Sequence, residues 1–541
     1  MNMHIGFPRL IRVHMIIVWR QRSLWAAAVP LALFALLLGV ISPAGPHDHG
    51  AGDLAFMAKT MAMFMPIAYM AAFTDFHTRH DRLGIGQLED STPTPAPLLT
   101  AARTLGAFLI LITPSLLLLA CAGVIQTLHG SWRAIPQALA AGLAITGPAV
   151  LTAMSLSSLL GAILPMIVAR IAGVLAWFAL VFSSPMLPVP TINGTILNVI
   201  GDAVGAGWFG LGPVYPATGG ILAVTGTPAH NALNGTGGTP PKNTTRKEDV
   251  MFISINHLTK DFPRKPRALD DVTCDLPHGM VGLIGPNGAG KTTLMRILAG
   301  IIRPTSGQVL MDGHDLKDTR TRRALKRTLG YLPQDIEPYP QLTPLEFLDY
   351  VGVLKGIDDT RKRMRQAHEL IERVGLTDVA DRRIGGFSGG MRRRVGIAQA
   401  LMADPRLIIV DEPTAGLDPE ERMRFRTLLA SLGGDRTVIL STHILDDIAQ
   451  TCPYVFVLRQ GRIRYDGPTE HLTGHAAGHV WLTQPSNTPP PDGMIVANAV
   501  TTARGVRYRV ITDNPPADAH PMDPTLEDGY MALIEEHPDQ H

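Results

Sequence analysis

A lysine and two hydroxyls close residues 285–293, GPNGAGKTT, and their types and spacing suit the chemistry of a polyphosphate. The apolar run Met280–Ile284 precedes them and LMRILAG follows, so the pattern predicts a strand, a glycine-rich turn and a helix start. In such a turn Gly285, Gly288 and Gly290 let the backbone bend tightly, and N–H groups from Asn287 through Ala289 aim at β- and γ-phosphates. Lys291 would neutralise phosphate charge, the Thr292 hydroxyl would ligate Mg²⁺, and Thr293 would close the cradle. A glycine turn before an ordinary helix is the plainer alternative. A full GxxxxGK[ST] between strand and helix is nevertheless among the most specific of short motifs.

A second set of candidates lies downstream. Leu407–Val410 is apolar at every position and ends in Asp411 and Glu412, which predicts a parallel strand covered on both faces with two carboxylates at its ligand-binding end. Asp411 is suited to the Mg²⁺ shell, and Glu412 to polarising an attacking water as general base. Between the two sets, Phe387-Ser388-Gly389-Gly390-Met391 opens a helix, and glycines behind a serine at a helix N-terminus make another anion site. The basic run Arg392-Arg393-Arg394 that follows reads as a solvated face or a feature of that helix.

Further motifs stand around these in a fixed order: Phe262 in KDFPRKPRALDDV, Gln334 in GYLPQD, Asp418 in AGLD and His443 in LSTH. Together they resemble the motif set of ATP-binding cassette (ABC) ATPases over roughly residues 251–470. The resemblance implies an α/β P-loop NTPase that uses ATP and Mg²⁺. Phe262 then stacks on adenine, Gln334 reaches the metal and the attacking water, Asp418 belongs to the D-loop, and His443 is the switch histidine. Lys291, Gln334, Glu412 and His443 become the catalytic group, with Thr292, Gln334 and Asp411 around the metal. Ser388, Gly389 and Gly390 form the signature loop, which in this family contacts ATP held by another cassette. Phe387, Met391 and Phe262 replace the usual leucine, glutamine and tyrosine, while the phosphate-contacting centre Ser388-Gly389-Gly390 is intact.

These residues need a scaffold, and composition divides it. With 541 residues, 46% hydrophobic and 17% charged, the chain is too long for one core and too apolar for an ordinary soluble enzyme. The apolar excess is in the first half, where Leu24–Ser42, Leu54–Phe73, Gly106–Ile125, Gln137–Leu156 and Met166–Leu187 read as successive bilayer spans. Arg9, Arg12, Arg20 and Arg22 precede the first span, and Arg79, Arg82 and Arg103 follow the second. The intervening loop 43–53 has neither Lys nor Arg, so the N-terminus is assigned to the inside. ATP is cytosolic, which requires an even number of crossings and a sixth span within about 195–225. A secretory signal ending at Ser42-Pro43-Ala44 is the competing reading, but its apolar core is longer than usual.

The expected architecture is therefore multi-domain. A polytopic α-helical membrane domain of about six helices with an N-terminal interfacial helix occupies 1–225, and a flexible linker follows over 226–250. An ABC-type nucleotide-binding domain spans 251–470, and a small C-terminal accessory lobe covers 471–541, where VWLTQ, MIVANAV and VRYRVIT predict short strands. The interfacial helix and loop 74–105 resemble, more loosely, parts of type-2 ABC exporters whose cytoplasmic loop docks on the ATPase. Cys121, Cys274 and Cys452 form no disulfide or zinc pattern, and His47-Asp48-His49 lacks a third metal ligand. A net charge of +2 gives no reason to expect a nucleic-acid partner.

One phosphate loop and one signature loop per chain imply a half-transporter completed by a second copy of the chain, with a homologous half-transporter as the other option. The expectation is ATP-driven export of an unknown substrate by a multi-pass protein of the cell membrane, in contact with lipid, with its ATPase in the cytoplasm. The alternative is a membrane-tethered ATPase that senses, or serves immunity or envelope assembly, without moving a solute.

Overall fold

The computed structural model describes residues 3–41, 51–72, 83–182 and 251–536, apart from 264–265, 415–417, 431, 433–435, 487 and 492. The expected sixth span, the linker 226–250, the His47-Asp48-His49 loop and D-loop residues 415–417 lie outside that set. Within it the apolar runs form α1 (Met3–Trp19), α2 (Arg22–Ile41), α3 (Ala51–Ala72), the short α4 (Ile85–Asp90), α5 (Ala96–Leu128), α6 (Ala134–Ile163) and α7 (Met166–Phe182). Of these, α5 and α6 are each long and apolar enough to cross a bilayer. The pair α1–α2, bent by 75° at its break, makes a third if taken as one span. Two to three candidate spans thus stand among the described residues, where about six helices were expected for the whole domain.

These helices bury small residues beside large ones such as Leu54, Met61 and Trp177, and leave many large apolar side chains on their surface. Ala28, Ala32, Ala58, Ala62, Ala138, Ala149 and Ala153 are buried, whereas Leu33, Leu117, Leu159, Ile163, Ile167 and Leu175 are exposed. Small residues let apolar helices approach closely while large ones face a hydrocarbon solvent. Two of the polar groups inside are paired across helices: Tyr69 Oη donates to Leu111 O at 2.6 Å and Trp177 Nε1 to Met63 O at 2.9 Å. Within α6 the ladder widens to a π turn over Gly142–Thr146, just ahead of Pro148, which has no N–H to give.

The remainder is built on strands β1 (Ile253–Lys260), β2 (Leu269–Leu276), β3 (Gly279–Ile284), β4 (Ser306–Met311), β5 (His314–Asp315), β6 (Leu329–Leu332), β7 (Leu407–Asp411), β8 (Thr437–Ser441), β9 (Tyr454–Arg459) and β10 (Arg462–Pro468). A six-stranded sheet runs β10-β9-β3-β8-β7-β6, with β9, β3, β8, β7 and β6 parallel, and a four-stranded antiparallel sheet runs β2-β1-β4-β5. Both β7 and β8 are buried at every residue, as continuous apolar strands between two layers must be. Helices α8 (Lys291–Leu298), α9 (Thr319–Arg327), α10 (Pro344–Leu354), α11 (Thr360–Arg373), α12 (Gly389–Ala400), α13 (Pro419–Ala430), α14 (Leu445–Thr451) and α15 (Thr469–Gly474) complete the cassette. Leu294, Met295 and Leu298 of α8 share a core with Leu283, Ile409, Ile439 and Phe456. The predicted terminal strands appear as β11 (Val480–Leu482), β12 (Ile495–Thr502) and β13 (Gly505–Ile511). With β14 (His520–Pro521) they form a sheet in the order β12-β13-β11-β14, and α16 (Leu526–Glu536) packs against α15 and β12.

Residues 83–96, with α4, group with the cassette, whereas 97–182 group with the apolar helices. The docking is specific. Glu337 N donates to Leu83 O at 2.7 Å, Tyr350 Oη to the buried Glu89 carboxylate at 2.6 Å, and Thr94 Oγ1 to Leu354 O at 2.9 Å; Lys326 Nζ meets Asp90 O. Gly84 adopts φ 68, and a Cβ there would lie 1.8 Å from Asp335 O, beside Gln334. Gly84→Ala therefore combines backbone strain with a steric clash, at a cost of about 1–3 kcal/mol. Amide exchange over 85–90 should speed up in that variant at little cost to protection in β7 and β8; unchanged exchange at α4 would contradict this docking.

Candidate active site

β3 leads directly into the phosphate-loop candidate, and α8 begins at Lys291 with Gly290 as its N-cap. Gly285 and Gly290 have φ 150 and 108, and a Cβ on either would stand 2.0 Å from Leu458 O or 2.3 Å from Ala268 O. Positive φ and close backbone approach make glycine the fitting residue at both places. A cavity of about 580 Å³ opens over this turn, lined by Ala268, Asn287 to Thr293, Gln334, Glu412 and His443.

Residues far apart in sequence meet at this cavity. Thr292 Oγ1 donates to Asp411 Oδ2 at 3.1 Å. The Glu412 carboxylate has Gln334 Nε2 at 3.5 Å and His443 Nδ1 at 3.3 Å. Lys291 Nζ donates to Gly285 O at 2.6 Å and Pro286 O at 3.1 Å. Burial lowers the Lys291 pKa, opposed by the nearby Glu412 and Asp411 charges, and burial raises that of Asp411. A hydroxyl and a buried carboxylate side by side are hard oxygen donors of the kind Mg²⁺ takes.

Other expected residues stand elsewhere. Ser388 caps α12, its Oγ accepting from Met391 N at 3.2 Å, and Phe387 before it is buried. Neither Ser388, Gly389 nor Gly390 lines the cavity; a Cβ on Gly390 would collide with the Glu421 carboxylate. Asp418 Oδ1 accepts from Glu421 N at 2.8 Å at the head of α13. Phe262, expected over adenine, is also absent from the lining, and Lys260 Nζ lies 4.9 Å from its ring centroid. Sequence reasoning missed Ala268 on the cavity wall and Arg393, whose side chain turns inward. Burial lowers the Arg393 pKa to about 10, against the pull of Asp411, Asp335 and Glu412. No sequence signal separates Arg393 from its basic neighbours.

Residues 269–415 match the family described as ABC transporter. Over 222 residues the chain is 39% identical to the uncharacterized ABC transporter ATP-binding protein YxlF of Bacillus subtilis, covering 41% of this chain and 72% of that protein. Over 252 residues it is 36% identical to the phosphonates import ATP-binding protein PhnC 2 of a Synechococcus species, covering 44% of this chain and 94% of that one. Over 233 residues it is 36% identical to the probable multidrug ABC transporter ATP-binding protein YbhF of Escherichia coli, covering 42% of this chain and 40% of that one. The chain belongs to the ABC transporter family, and its cassette is an ABC-type ATPase that binds ATP.

Lys291→Ala removes the cation at the floor of the cavity. A charge-assisted contact is worth about 1.5–3 kcal/mol, so ATP affinity in an equilibrium titration should fall roughly 10- to 150-fold. Unchanged affinity would take Lys291 out of the site.

Proposed function

We propose that the chain is an exporting half-transporter. A multi-pass membrane domain of about six helices in 1–225 drives substrate out of the cytosol, powered by two Mg-ATP sites formed between two copies of the cassette. The observation that carries this reading is the division of the motifs. Lys291, Thr292, Gln334, Glu412 and His443 line one cavity, while Ser388, Gly389 and Gly390 do not. The sequence has one phosphate loop and one signature loop, which supports a site whose signature is supplied by a second chain.

In this mechanism Lys291 and the N-terminus of α8 hold the β- and γ-phosphates. Thr292 and Asp411, with Gln334, would hold Mg²⁺, which would neutralise phosphate charge. Glu412 accepts a proton from water as the water oxygen attacks the γ-phosphorus and ADP departs. Gln334 and His443, both beside the Glu412 carboxylate, orient the water and the γ-phosphate. Closing and opening of the two-chain sandwich reaches the membrane helices through α4, which rests against Asp335, the residue after Gln334. The relatives' names cover both import and multidrug function, so the direction rests on the fusion of membrane segment and cassette and on the docked loop. The second copy is the favoured partner because every motif keeps its chemically essential residues.

Glu412→Gln should keep ATP binding and lose turnover by a factor on the order of 10²–10⁴, the range for a missing general base. Wild-type hydrolysis by that variant would move the base elsewhere, with His443 the next candidate. Mixing Lys291→Ala with Ser388→Arg chains tests the shared site, since only a mixed pair contains an intact phosphate loop facing an intact signature. Recovered ATPase activity supports the dimer. Wild-type turnover that is independent of concentration, with no dimer found in detergent or nanodiscs, would overturn it.

A further inference from the structure

The run Arg392-Arg393-Arg394, read from sequence as a solvated face, is divided by the fold. Arg394 Nη1 reaches Val374 O and Gly375 O at the end of α11. Arg393 points the other way, and its guanidinium gathers five backbone carbonyls. Nε donates to Pro413 O at 3.0 Å and Nη1 to Gln334 O at 2.6 Å and Pro333 O at 3.5 Å, while Nη2 donates to Asp411 O at 3.1 Å and Glu412 O at 2.7 Å. Three of these carbonyls follow one another at the end of β7, and the other two belong to Pro333 and to Gln334, whose amide faces the Glu412 carboxylate. The helix that carries Arg393 is the one capped by Ser388.

Glu412 needs such a hold because its φ is 45, in the left-handed region that a residue with a Cβ disfavours. Its N–H donates to Ser441 O at 2.8 Å and its carbonyl accepts from Arg393. The strained residue is thus fixed on one side by β8 and on the other by a side chain of the signature helix. Only a planar fork with five N–H donors can serve this many acceptors; a lysine ammonium has three and lacks the fixed spacing.

We infer that Arg393 is a positioning residue for ATP hydrolysis: it holds Glu412 and Gln334 in one geometry and ties that geometry to the signature helix. The inference rests on the reading of Glu412 as general base. Arg393 touches no reacting atom in this account, so its effect must pass through Glu412 and Gln334.

The test measures kcat, KM and ATP affinity for full-length protein in nanodiscs, for Arg393→Ala, Arg393→Lys, Glu412→Gln and the double variant Arg393→Ala with Glu412→Gln. Arg393→Ala should lower kcat roughly 10- to 100-fold with ATP affinity within about twofold, as for an interaction that matters mainly in the transition state. Arg393→Lys should recover part of the loss. In the Glu412→Gln background Arg393→Ala should cost little more, because residues acting as a unit are not additive. Near-wild-type kcat in Arg393→Ala, a parallel fall in kcat and affinity, or losses that multiply with Glu412→Gln would each overturn the proposal. If Arg393→Ala does not fold, Arg393→Lys decides: lowered kcat at unchanged affinity supports the proposal, and unchanged kcat overturns it. Wild-type turnover by Glu412→Gln overturns the base assignment and this proposal with it. An inactive Glu412→Gln beside an active Arg393→Ala overturns this proposal alone.

Discussion

The register of β8 against its two neighbours is the constraint on which the site depends. Ser441, its last residue, pairs with Leu283 of β3 on one side and with Asp411 of β7 on the other. Three parallel strands therefore end at one level, and their carboxyl ends deliver the 285–290 turn, His443 and the two carboxylates to a common edge. Ligands in open α/β sheets bind at that edge. A one-residue slip would turn every side chain of the slipped strand to the opposite face and would take Asp411 out of register with Ser441.

From that edge the structure reaches outward through both backbone and side-chain contacts. Gln334 touches Glu412 through its amide and Arg393 through its carbonyl, while the next residue, Asp335, meets Gly84. A shift of α4 cannot leave the loop that carries Gln334 unchanged, because a carbonyl packed on a glycine has little room to give. On the proposed reading this short path lets nucleotide state and membrane helices influence each other. The buried Glu89 carboxylate bonded to Tyr350, with Tyr339 3.4 Å away, gives the dock a fixed geometry.

Much of this was legible in the sequence, and the reasons are local. The turn between β3 and α8, the β7 strand and the Ser388-capped helix α12 each follow from residues adjacent in the chain, whose glycines, apolar runs and hydroxyls have few other uses. The apolar helices were visible from hydropathy, and α2, α3, α5, α6 and α7 fall on the predicted runs. What stayed hidden is encoded across distance. The difference between Arg393 and Arg394 depends on which side of α12 faces β7, and the partners of Glu89 lie some 250 residues away. Ala268, which lines the cavity wall, carries no signal in the sequence, and the contact of the Phe262 ring with Lys260 likewise shows only in the fold.

The central claim is that each ATP is held by two chains. The most direct measurement is a structure of the full-length Glu412→Gln variant with Mg-ATP in nanodiscs. The account predicts two copies, with each γ-phosphate between Lys291 of one chain and Ser388 with the Gly390 backbone of the other. ATP held wholly within one chain, with Ser388 touching no nucleotide, would contradict it.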